Sequence, residues 1–272
     1  MNFNSLKKSI ETLWEEDKSK WKEKKEDIDK IIDFLDEGTL RVAEKIENKW
    51  VVYSWIKKAI LMCFSIRSSE HIKAEDLTFY DKIPLKKNFD KRNIRVVPPA
   101  CVRYGSYVDE NVVLMPSYVN IGAYVGRNTM VDTWATVGSC AQVGSNVHIS
   151  GGVGIGGVLE PIQALPVIIE DDVFLGSRSI IVEGVHIEKE VVIAAGVVLT
   201  SSTWIIDVST PKPIKMKGRV PSRSVVIPGS YPKEFPAGLY HVPCALIIGE
   251  RKESTNKKTS LNHALRDFNI ST

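Results

Sequence analysis

The chain has 272 residues, of which 43% are hydrophobic and 25% are charged, a composition typical of a soluble globular protein with one large or two to three small domains. Its formal net charge of +3 is too small to predict nucleic-acid binding. No apolar run approaches the ~20 residues that a membrane span requires. The first 30 residues carry eight lysines and eight acidic residues in place of the apolar core of a secretion signal, so we do not expect a secretory leader.

Residues 1–94 are predicted to form a mixed, mostly helical N-terminal domain. Apolar residues at helical spacing predict helix over residues 4–37, and Gly38 suits the left-handed position that follows a helix. The alternating segment at 40–46 is predicted to pair with residues 50–53 across a turn.

One further helix is predicted in this domain. Residues 55–64 form a mostly apolar stretch that carries Lys57 and Lys58, which indicates a helix. Residues 67–94 are polar and irregular, so we expect a segment without regular structure before the next domain.

The centre of the chain repeats an aliphatic residue every six positions. The repeat covers residues 113–155 and resumes over residues 169–199. Small or apolar residues stand four positions later, and glycine often follows the aliphatic residue directly, as at Gly126 and Gly138. The aliphatic positions are Val113, Val119, Val125, Val131, Val137, Val143, Ile149, Ile155, Ile169, Leu175, Ile181, Ile187, Ile193 and Leu199.

A period of six matches neither an α-helix nor a single β-strand. It predicts a mainly β protein, a left-handed parallel β-helix built from hexapeptides, in which about three hexads complete a coil. The aliphatic residues point inward and stack on their counterparts ~4.8 Å away in the next coil. Fourteen hexads predict about five coils, and we attribute the glycines to corners whose backbone conformation a Cβ would strain. The alternative, a β-sandwich enriched by chance in Val and Gly, does not explain a spacing that persists with one interruption.

The β-helix domain is predicted to cover residues 95–230. Its six-residue frame slips by one before Val113, which we interpret as a bulge or a loosened corner. The interruption adds two residues to the frame and predicts an inserted loop at 160–168, of a kind that often reaches a neighbouring subunit. The frame is lost again at 204–219, where a second inserted loop is predicted.

Residues 231–272 are predicted to form a small C-terminal β extension. Residues 232–250 alternate enough for one or two strands. Residues 252–260 are polar and predicted to be loose, and residues 261–268 suit a short terminal helix.

The four cysteines form no C-x-x-C pair. We predict free, buried thiols in a reducing compartment. Cys140 is also a candidate nucleophile, but it occupies an ordinary position of a hexad, and acyl transfer to an amine needs no covalent intermediate. The cysteines are Cys63, Cys101, Cys140 and Cys244.

Two charged residues are candidates for chemistry. Asp132 stands directly after inward Val131, where neighbouring hexads have glycine, and is followed by Thr133 and Trp134. A carboxylate in a cleft of limited solvent access suits proton transfer, whereas a corner aspartate that bonds its own backbone is the structural alternative. Arg95 precedes the Pro-Pro entry to the repeat and suits a substrate carboxylate, with a surface salt bridge as its alternative.

His148 and His186 are candidate general bases, because many acyltransferases of this architecture use a histidine. Both occupy the last position of a hexad, where a partly packed outward imidazole is the more common case. They define an alternative function, an acetyl-CoA-dependent N- or O-acetyltransferase. A non-catalytic β-helix scaffold that assembles end to end is a second alternative, although the flanking domains would cap the coil.

Two further segments are candidates for ligand binding. Residues 150–157 are rich in glycine, but no Lys-Ser/Thr follows and the segment lies inside the repeat, so a P-loop or dinucleotide site is excluded. Its bare backbone N–H groups suit an extended ligand arm. Residues 212–223 carry five cations and no acid, which suits either the phosphates of coenzyme A or a solvated loop.

The longer motifs resemble the tetrahydrodipicolinate N-succinyltransferase family from about residue 28 to 230. The matching blocks are LRVAEK at 40–45, WIKKA at 55–59, YDKIP at 80–84, RVVPPA at 95–100, LMPSYVNIGAYV at 114–125, MVDTWATVGSCAQ at 130–142 and NVHISGGVGIGGVLEP at 146–161. The resemblance implies a cytoplasmic homotrimer with active sites between subunits, small-molecule substrates, no nucleic-acid or membrane partner, and no metal or permanently bound cofactor. It implies transfer of the succinyl group of succinyl-CoA, a cosubstrate, to the amine of 2-amino-6-oxopimelate in lysine and diaminopimelate biosynthesis.

By position, the resemblance makes Arg95 a substrate-binding residue and Asp132 a substrate-contacting and catalytic residue. The family usually has Arg-Ser-Glu where this chain has Arg178-Ser179-Ile180, so a glutamate proposed as a catalytic partner is absent. Either Asp132 alone handles the proton, or the glutamate is dispensable, or the enzyme is impaired. The resemblance does not support a histidine base.

Overall fold

The computed structural model describes residues 3–74 and 77–251. The predictions of a loose segment at 252–260 and of a helix at 261–268 lie outside these residues.

The N-terminal segment begins with three consecutive helical pieces. Helix α1 spans Asn4–Trp14, a 3₁₀ helix spans Lys18–Lys24, and helix α2 spans Lys25–Glu37. The prediction of continuous helix over 4–37 is therefore wrong, because the Asp17 side chain accepts a hydrogen bond from the Ser19 N–H and starts a new helix there. Gly38 ends α2 with φ +78°, as predicted.

A β-hairpin and a third helix complete this packed unit. Ala43–Ile46 pairs antiparallel with Lys49–Val52, which confirms the predicted pairing. Helix α3 spans Ser54–Ile66, as predicted, and packs on α1 and α2 through residues that are almost entirely buried. The same apolar cluster includes Ile121 and Cys140 of the central domain, so hydrophobic packing joins the helices to the β-helix.

Residues 67–94 contain regular structure, contrary to prediction. Glu70–Ala74 pairs antiparallel with Leu77–Asp81, and a 3₁₀ helix spans Phe89–Arg92. Most residues of the hairpin are exposed. A polar composition therefore does not distinguish this two-stranded ribbon from an irregular segment.

The repeat forms a three-sided parallel β-helix with two-residue strands on each side. Face 1 comprises Arg95–Val96, Val113–Leu114, Met130–Val131, His148–Ile149, Phe174–Leu175 and Val192–Ile193. Face 2 comprises Cys101–Val102, Tyr118–Val119, Thr136–Val137, Gly154–Ile155, Ile180–Ile181 and Val198–Leu199. Face 3 comprises Tyr107–Val108, Tyr124–Val125, Gln142–Val143, Ile168–Ile169, His186–Ile187 and Arg219–Val220.

Six strands on each face correspond to about six coils, whereas fourteen hexads predicted about five. The additional strands lie at both ends of the repeat, where residues 96–108 and Val220 continue the inward stack. The second residue of each strand points inward and is nearly always buried completely. This column of aliphatic side chains is the core of the molecule and the main source of its stability.

The frame shift lies one hexad later than predicted. Leu114, which is fully buried, pairs with Val131 and is the inward residue, whereas Val113 points outward. The five-residue step therefore runs from Leu114 to Val119 and contains Pro116. Two adjacent aliphatic residues left the inward one ambiguous in the sequence, and the strand register resolves it.

The interruption is also longer than predicted. Ile155 and Ile169 lie on consecutive faces, a step that six residues normally cover. Fourteen residues are used here, so eight are inserted rather than two. They form a loop that leaves the coil, as predicted, between face 2 and face 3.

The glycines after the inward residues serve close packing rather than an unusual backbone conformation, contrary to our interpretation. Five glycines occupy this position, and none has a positive φ: Gly126, Gly138, Gly144, Gly156 and Gly176. A Cβ on Gly138 would lie 2.2 Å from the Gly157 nitrogen, and one on Gly176 would lie 2.4 Å from the Ala195 nitrogen. Positive φ angles instead occur two residues further on, for example at Asn128 and Trp134.

A long hairpin closes the C-terminal end of the β-helix. Its strands, Ser224–Phe235 and Gly238–Glu250, pair antiparallel, and the first continues face 1 by pairing with Val192–Ile193. The predicted boundary at 230/231 thus falls inside a strand. The predicted loop at 204–219 contains Ile205–Asp207 paired with Ile214–Met216.

Candidate active site

Asp132 lies at the corner where face 1 turns into face 2, and it is half-buried. Its Oδ1 accepts hydrogen bonds from the Thr133 backbone N–H at 2.6 Å and from Thr133 Oγ1 at 3.2 Å. Oδ1 therefore has the structural role expected of an aspartate at a corner, which is to accept hydrogen bonds from the adjacent turn. Oδ2 has no hydrogen-bond partner among the described residues, and this oxygen is the one that can meet a ligand.

Glycines of the next coil leave space beside that oxygen. A Cβ on Gly151 would stand 4.0 Å from Asp132 Oδ2, and a Cβ on Gly152 would stand 3.2 Å from Arg178 Cγ. The glycine-rich segment of the sequence is thus part of the same corner as Asp132. Its open backbone is compatible with the ligand channel that the composition suggested.

Arg178 lies one coil beyond these glycines, and we did not single it out as a site residue. It is exposed, has φ +57°, and donates its backbone N–H to the Gly151 carbonyl at 3.0 Å. Its guanidinium has no carboxylate partner within the described ranges. The sequence could have indicated Arg178, because it belongs to the Arg-Ser-Glu motif of the family. We used that motif only to note that Ile180 replaces its glutamate.

Arg95 lies on the first strand of face 1, where its side chain is exposed. It occupies the same outward column as Val113 and Met130, two strand spacings or ~10 Å from Met130. No hydrogen bond or ion pair joins Arg95 to Asp132 in the described chain. One subunit therefore places both residues on one face without bringing them together.

Ile180 points outward on face 2, next to Gly154 and Val198. Its Cδ1 would lie 2.8 Å from a Cβ on Gly154, so the glycine makes room for this larger side chain. Glu183 does not replace the missing glutamate. Its Oε2 accepts hydrogen bonds from the Ser201 N–H and Oγ at the opposite corner of face 2.

The His148 ring packs against an aromatic side chain and is not positioned as a general base. Its ring stacks on Phe174 with centroids 4.9 Å apart and planes 3° from parallel. Burial lowers the pKa of His148, although the Asp132 carboxylate opposes the shift. No hydrogen bond connects its ring to another described residue, which leaves the imidazole without a partner to orient it for proton transfer.

His186 lies on face 3, away from the Asp132 corner. Its Nε2 is 3.0 Å from Glu170 Oε1, which also accepts hydrogen bonds from Lys45 Nζ at 2.8 Å and Trp50 Nε1 at 3.1 Å. The imidazole is thus held in a structural cluster under the N-terminal hairpin. Of the two histidines of the acetyltransferase alternative, His186 does not share a site with Asp132, whereas His148 lies on the strand beside Met130 but is packed against Phe174.

All four cysteines are unpaired. Cys140 is fully buried, and burial raises the pKa of its thiol to about 12. A thiolate is therefore not accessible there at neutral pH. The residue belongs to the apolar cluster beneath the helices.

The basic segment at 212–223 divides into two kinds of cation. Arg219 and Arg223 form ion pairs with Glu188 and Glu190, so their charges are already neutralised within the protein. Lys215 and Lys217 instead lie over the Trp204 ring, at 5.9 and 4.1 Å from its centroid, and Lys212 is exposed. The three lysines remain available to an anionic ligand.

Within residues 3–74 and 77–251, no three His, Cys, Asp or Glu side chains are arranged to hold a metal ion. No helix in the described ranges is long and apolar enough to cross a membrane.

The fold and the glycine-lined corner define a transferase of the hexapeptide-repeat class. The sequence model described as "Tetrahydrodipicolinate N-succinyltransferase N-terminal" matches residues 5–66, and "Hexapeptide repeat of succinyl-transferase" matches residues 166–201. The chain is 54% identical over 245 residues to the 2,3,4,5-tetrahydropyridine-2,6-dicarboxylate N-succinyltransferase of Acinetobacter baylyi, covering 88% of each chain. It is 46% identical over 285 residues to that of Paramagnetospirillum magneticum, covering 98% of this chain and 100% of the relative. The chain belongs to the tetrahydrodipicolinate N-succinyltransferase family.

A solved structure shows the same fold at low identity. A crystal structure of a putative 2,3,4,5-tetrahydropyridine-2-carboxylate N-succinyltransferase from Campylobacter jejuni matches with a TM-score of 0.53 at 17% identity, covering 82% of this chain and 62% of that chain. The left-handed β-helix predicted from the period of six is thereby confirmed.

Proposed function

We propose that this chain transfers the succinyl group of succinyl-CoA to the amine of ring-opened tetrahydrodipicolinate, 2-amino-6-oxopimelate. The products are N-succinyl-2-amino-6-oxopimelate and coenzyme A, as in lysine and diaminopimelate biosynthesis. The observation that carries the proposal is the corner around Asp132, in a chain whose family membership extends over nearly its whole length. Succinyl-CoA enters as a cosubstrate.

The reaction is direct attack of a neutral amine on the thioester. A C–N bond forms as the C–S bond breaks, the amine proton passes to Asp132 Oδ2, and coenzyme A leaves as a thiolate. Because Oδ1 is already held by Thr133, the carboxylate has a fixed orientation and one free acceptor. Backbone N–H groups stabilise the developing oxyanion.

We assign the binding of the two substrates to charged residues. Arg95 is exposed and binds a carboxylate of the pimelate chain through its planar fork. Lys215 and Lys217, which have no carboxylate partner in the described chain, hold phosphates of coenzyme A. Arg178 lies near the glycines and is suited to the succinyl carboxylate.

We further propose a homotrimer with active sites between subunits. Arg95 and Asp132 are not in contact within one subunit, which is compatible with a site that a second copy completes. Large exposed apolar side chains support an interface, since Trp134 beside that corner is 70% exposed and Val198 on face 2 is 50% exposed. The free thiols fit a reducing, cytoplasmic location.

Thiol release tests the activity directly. The full chain is supplied with succinyl-CoA or acetyl-CoA, with tetrahydrodipicolinate or 2-aminopimelate as acceptor, and free thiol is measured. Acceptor-dependent release from succinyl-CoA is expected. Release from acetyl-CoA alone would replace the donor, and no release from a folded trimer would contradict the proposal.

A further inference from the structure

A cavity of about 300 Å³ lies between the hairpin Ala43–Val52 and face 3. It is formed at the corner that leads from face 3 to face 1, whereas Asp132 lies at the corner between face 1 and face 2. The lining residues are Arg41, Lys45, Asn48, Trp50, Tyr124, Gly144, Ser145, Ile169, Glu170, Asp171 and Lys189.

Arg41 is held rigidly at this cavity. Its guanidinium carbon lies 3.6 Å from the Tyr124 ring centroid, and its Nε donates to Gln142 Oε1 at 3.0 Å. Gln142 is itself buried and donates Nε2 to the Cys140 carbonyl at 2.9 Å. The guanidinium therefore has one orientation, and its two terminal nitrogens have no acceptor among the described residues.

The other charges of the cavity are paired. Lys45 Nζ lies 2.8 Å from Glu170 Oε1, and Lys189 Nζ lies 3.7 Å from Asp171 Oδ2. Arg41 has no carboxylate within ion-pair distance in the part of the chain that is described. The cavity thus carries one uncompensated positive charge, supplied by its most constrained cation.

Burial makes this arrangement costly without a ligand. Arg41 is partly buried, and burial lowers the pKa of its guanidinium below the ordinary value, although Tyr124, Glu44 and Asp171 oppose the shift. A desolvated cation without an anion in direct contact is unfavourable, whereas a carboxylate matches the terminal nitrogens in a bidentate pair. The Asp171 carboxylate, whose side chain is 44% exposed, would repel a second carboxylate.

We propose that this cavity binds a small monocarboxylate, whose oxygens accept hydrogen bonds from Arg41 and whose apolar part lies against Trp50. A volume of about 300 Å³ accommodates about ten non-hydrogen atoms at the ~30 Å³ that a water occupies in the liquid. The site is distinct from the acyl-transfer corner and selects against the dicarboxylate acceptor. Because the cavity joins the N-terminal hairpin to face 3, its occupant ties these two parts together.

Saturation-transfer NMR with hexanoate tests the site. The full chain is saturated with coenzyme A and 2-aminopimelate, so that the transfer cleft is filled. We expect hexanoate to bind with a dissociation constant of about millimolar order, and 1-hexanol, the neutral probe of similar length, not to bind. Arg41→Gln is expected to weaken hexanoate binding at least ~10-fold.

Arg127→Gln is the matched control, since Arg127 lies at the same corner but its side chain is 63% exposed; it should leave binding unchanged. The proposal is overturned if hexanoate does not bind to the saturated protein, if hexanol binds as well, or if Arg41→Gln has no effect. The comparison of hexanoate with hexanol requires no variant, so it remains decisive should Arg41→Gln fail to fold.

Discussion

Replacing Asp132 with asparagine separates its chemical role from its structural one. The asparagine carbonyl oxygen can accept the same hydrogen bonds from the Thr133 N–H and Oγ1 that Oδ1 now accepts. The corner should therefore keep its shape. The amide that replaces Oδ2 cannot accept the amine proton, so catalysis alone should suffer.

The expected loss follows from the size of a general-base contribution. Such a group is worth about 10²- to 10⁴-fold in rate, or about 3 to 5 kcal/mol of transition-state stabilisation. Turnover should fall within that range. The KM for succinyl-CoA should change little, because the amine proton is transferred only in the chemical step.

Thiol release from succinyl-CoA with 2-aminopimelate measures the effect, and thermal unfolding confirms that the variant is intact. Asp207→Asn is the matched control, because Asp207 Oδ1 also accepts hydrogen bonds from a nearby backbone N–H and hydroxyl, those of Ser209. This control should keep wild-type turnover. A folded Asp132→Asn variant with more than about a tenth of wild-type turnover would refute the role of Asp132 as base.

Three other changes test the rest of the structure. Ile180→Glu should alter turnover by less than about threefold, because this side chain packs toward Gly154 on face 2 rather than toward Asp132. A rise in turnover of about tenfold would mean that the native isoleucine impairs the enzyme. Gly138→Ala should destabilise the fold by about 1–3 kcal/mol in urea unfolding, since its Cβ would lie 2.2 Å from the Gly157 nitrogen. Burial opposes ionisation of Glu170, but hydrogen bonds from Lys45, Trp50 and His186 outweigh it and lower the pKa of that carboxyl. The ionised form of Glu170 therefore stabilises the fold at pH values above the ordinary pKa of 4.5. Glu170→Gln should show its largest loss of unfolding free energy at pH 7, and the loss should become smaller as the pH falls below 4.5.

Matched variants show whether each effect is specific. Ile180→Gln has the polarity of glutamate without its charge, and any gain seen with both cannot be assigned to a carboxylate. Gly151→Ala adds a Cβ with its nearest contact at 3.4 Å and should leave urea stability nearly unchanged. A stability difference for Glu170→Gln that stays constant between pH 7 and pH 3 would contradict the assigned ionisation.

The period of six was sufficient to predict the β-helix because inward residues must stack on one another in every coil. That requirement leaves the same aliphatic signal at each turn. The period does not specify the strand register where two aliphatic residues are adjacent, as at Val113 and Leu114. It also does not give the length of the insertion between Ile155 and Ile169, because part of that insertion has the length of a repeat. The glycine pattern was visible, but its cause was not, since the clash that excludes a Cβ at Gly138 involves Gly157 in the next coil.

The resemblance located Asp132 and Arg95, and both remain predictions for the chemistry. Sequence alone did not indicate that Oδ1 is occupied by Thr133 while Oδ2 is free, nor that Arg178 shares the corner. It also treated the five cations of 212–223 as equivalent. Partners distant in sequence distinguish Arg219, bound to Glu188, from Lys217, which lies over an aromatic ring.

The sequence by itself determined the architecture and the family, because both are encoded in local spacing and in contiguous motifs. Only the tertiary structure decided which polar groups are paired. Arg41 and His186 illustrate the difference, since each depends on residues more than a dozen positions away, Gln142 and Glu170. Whether a charge is buried, neutralised or left free for a ligand is set by such long-range contacts, and no periodicity along the chain records them.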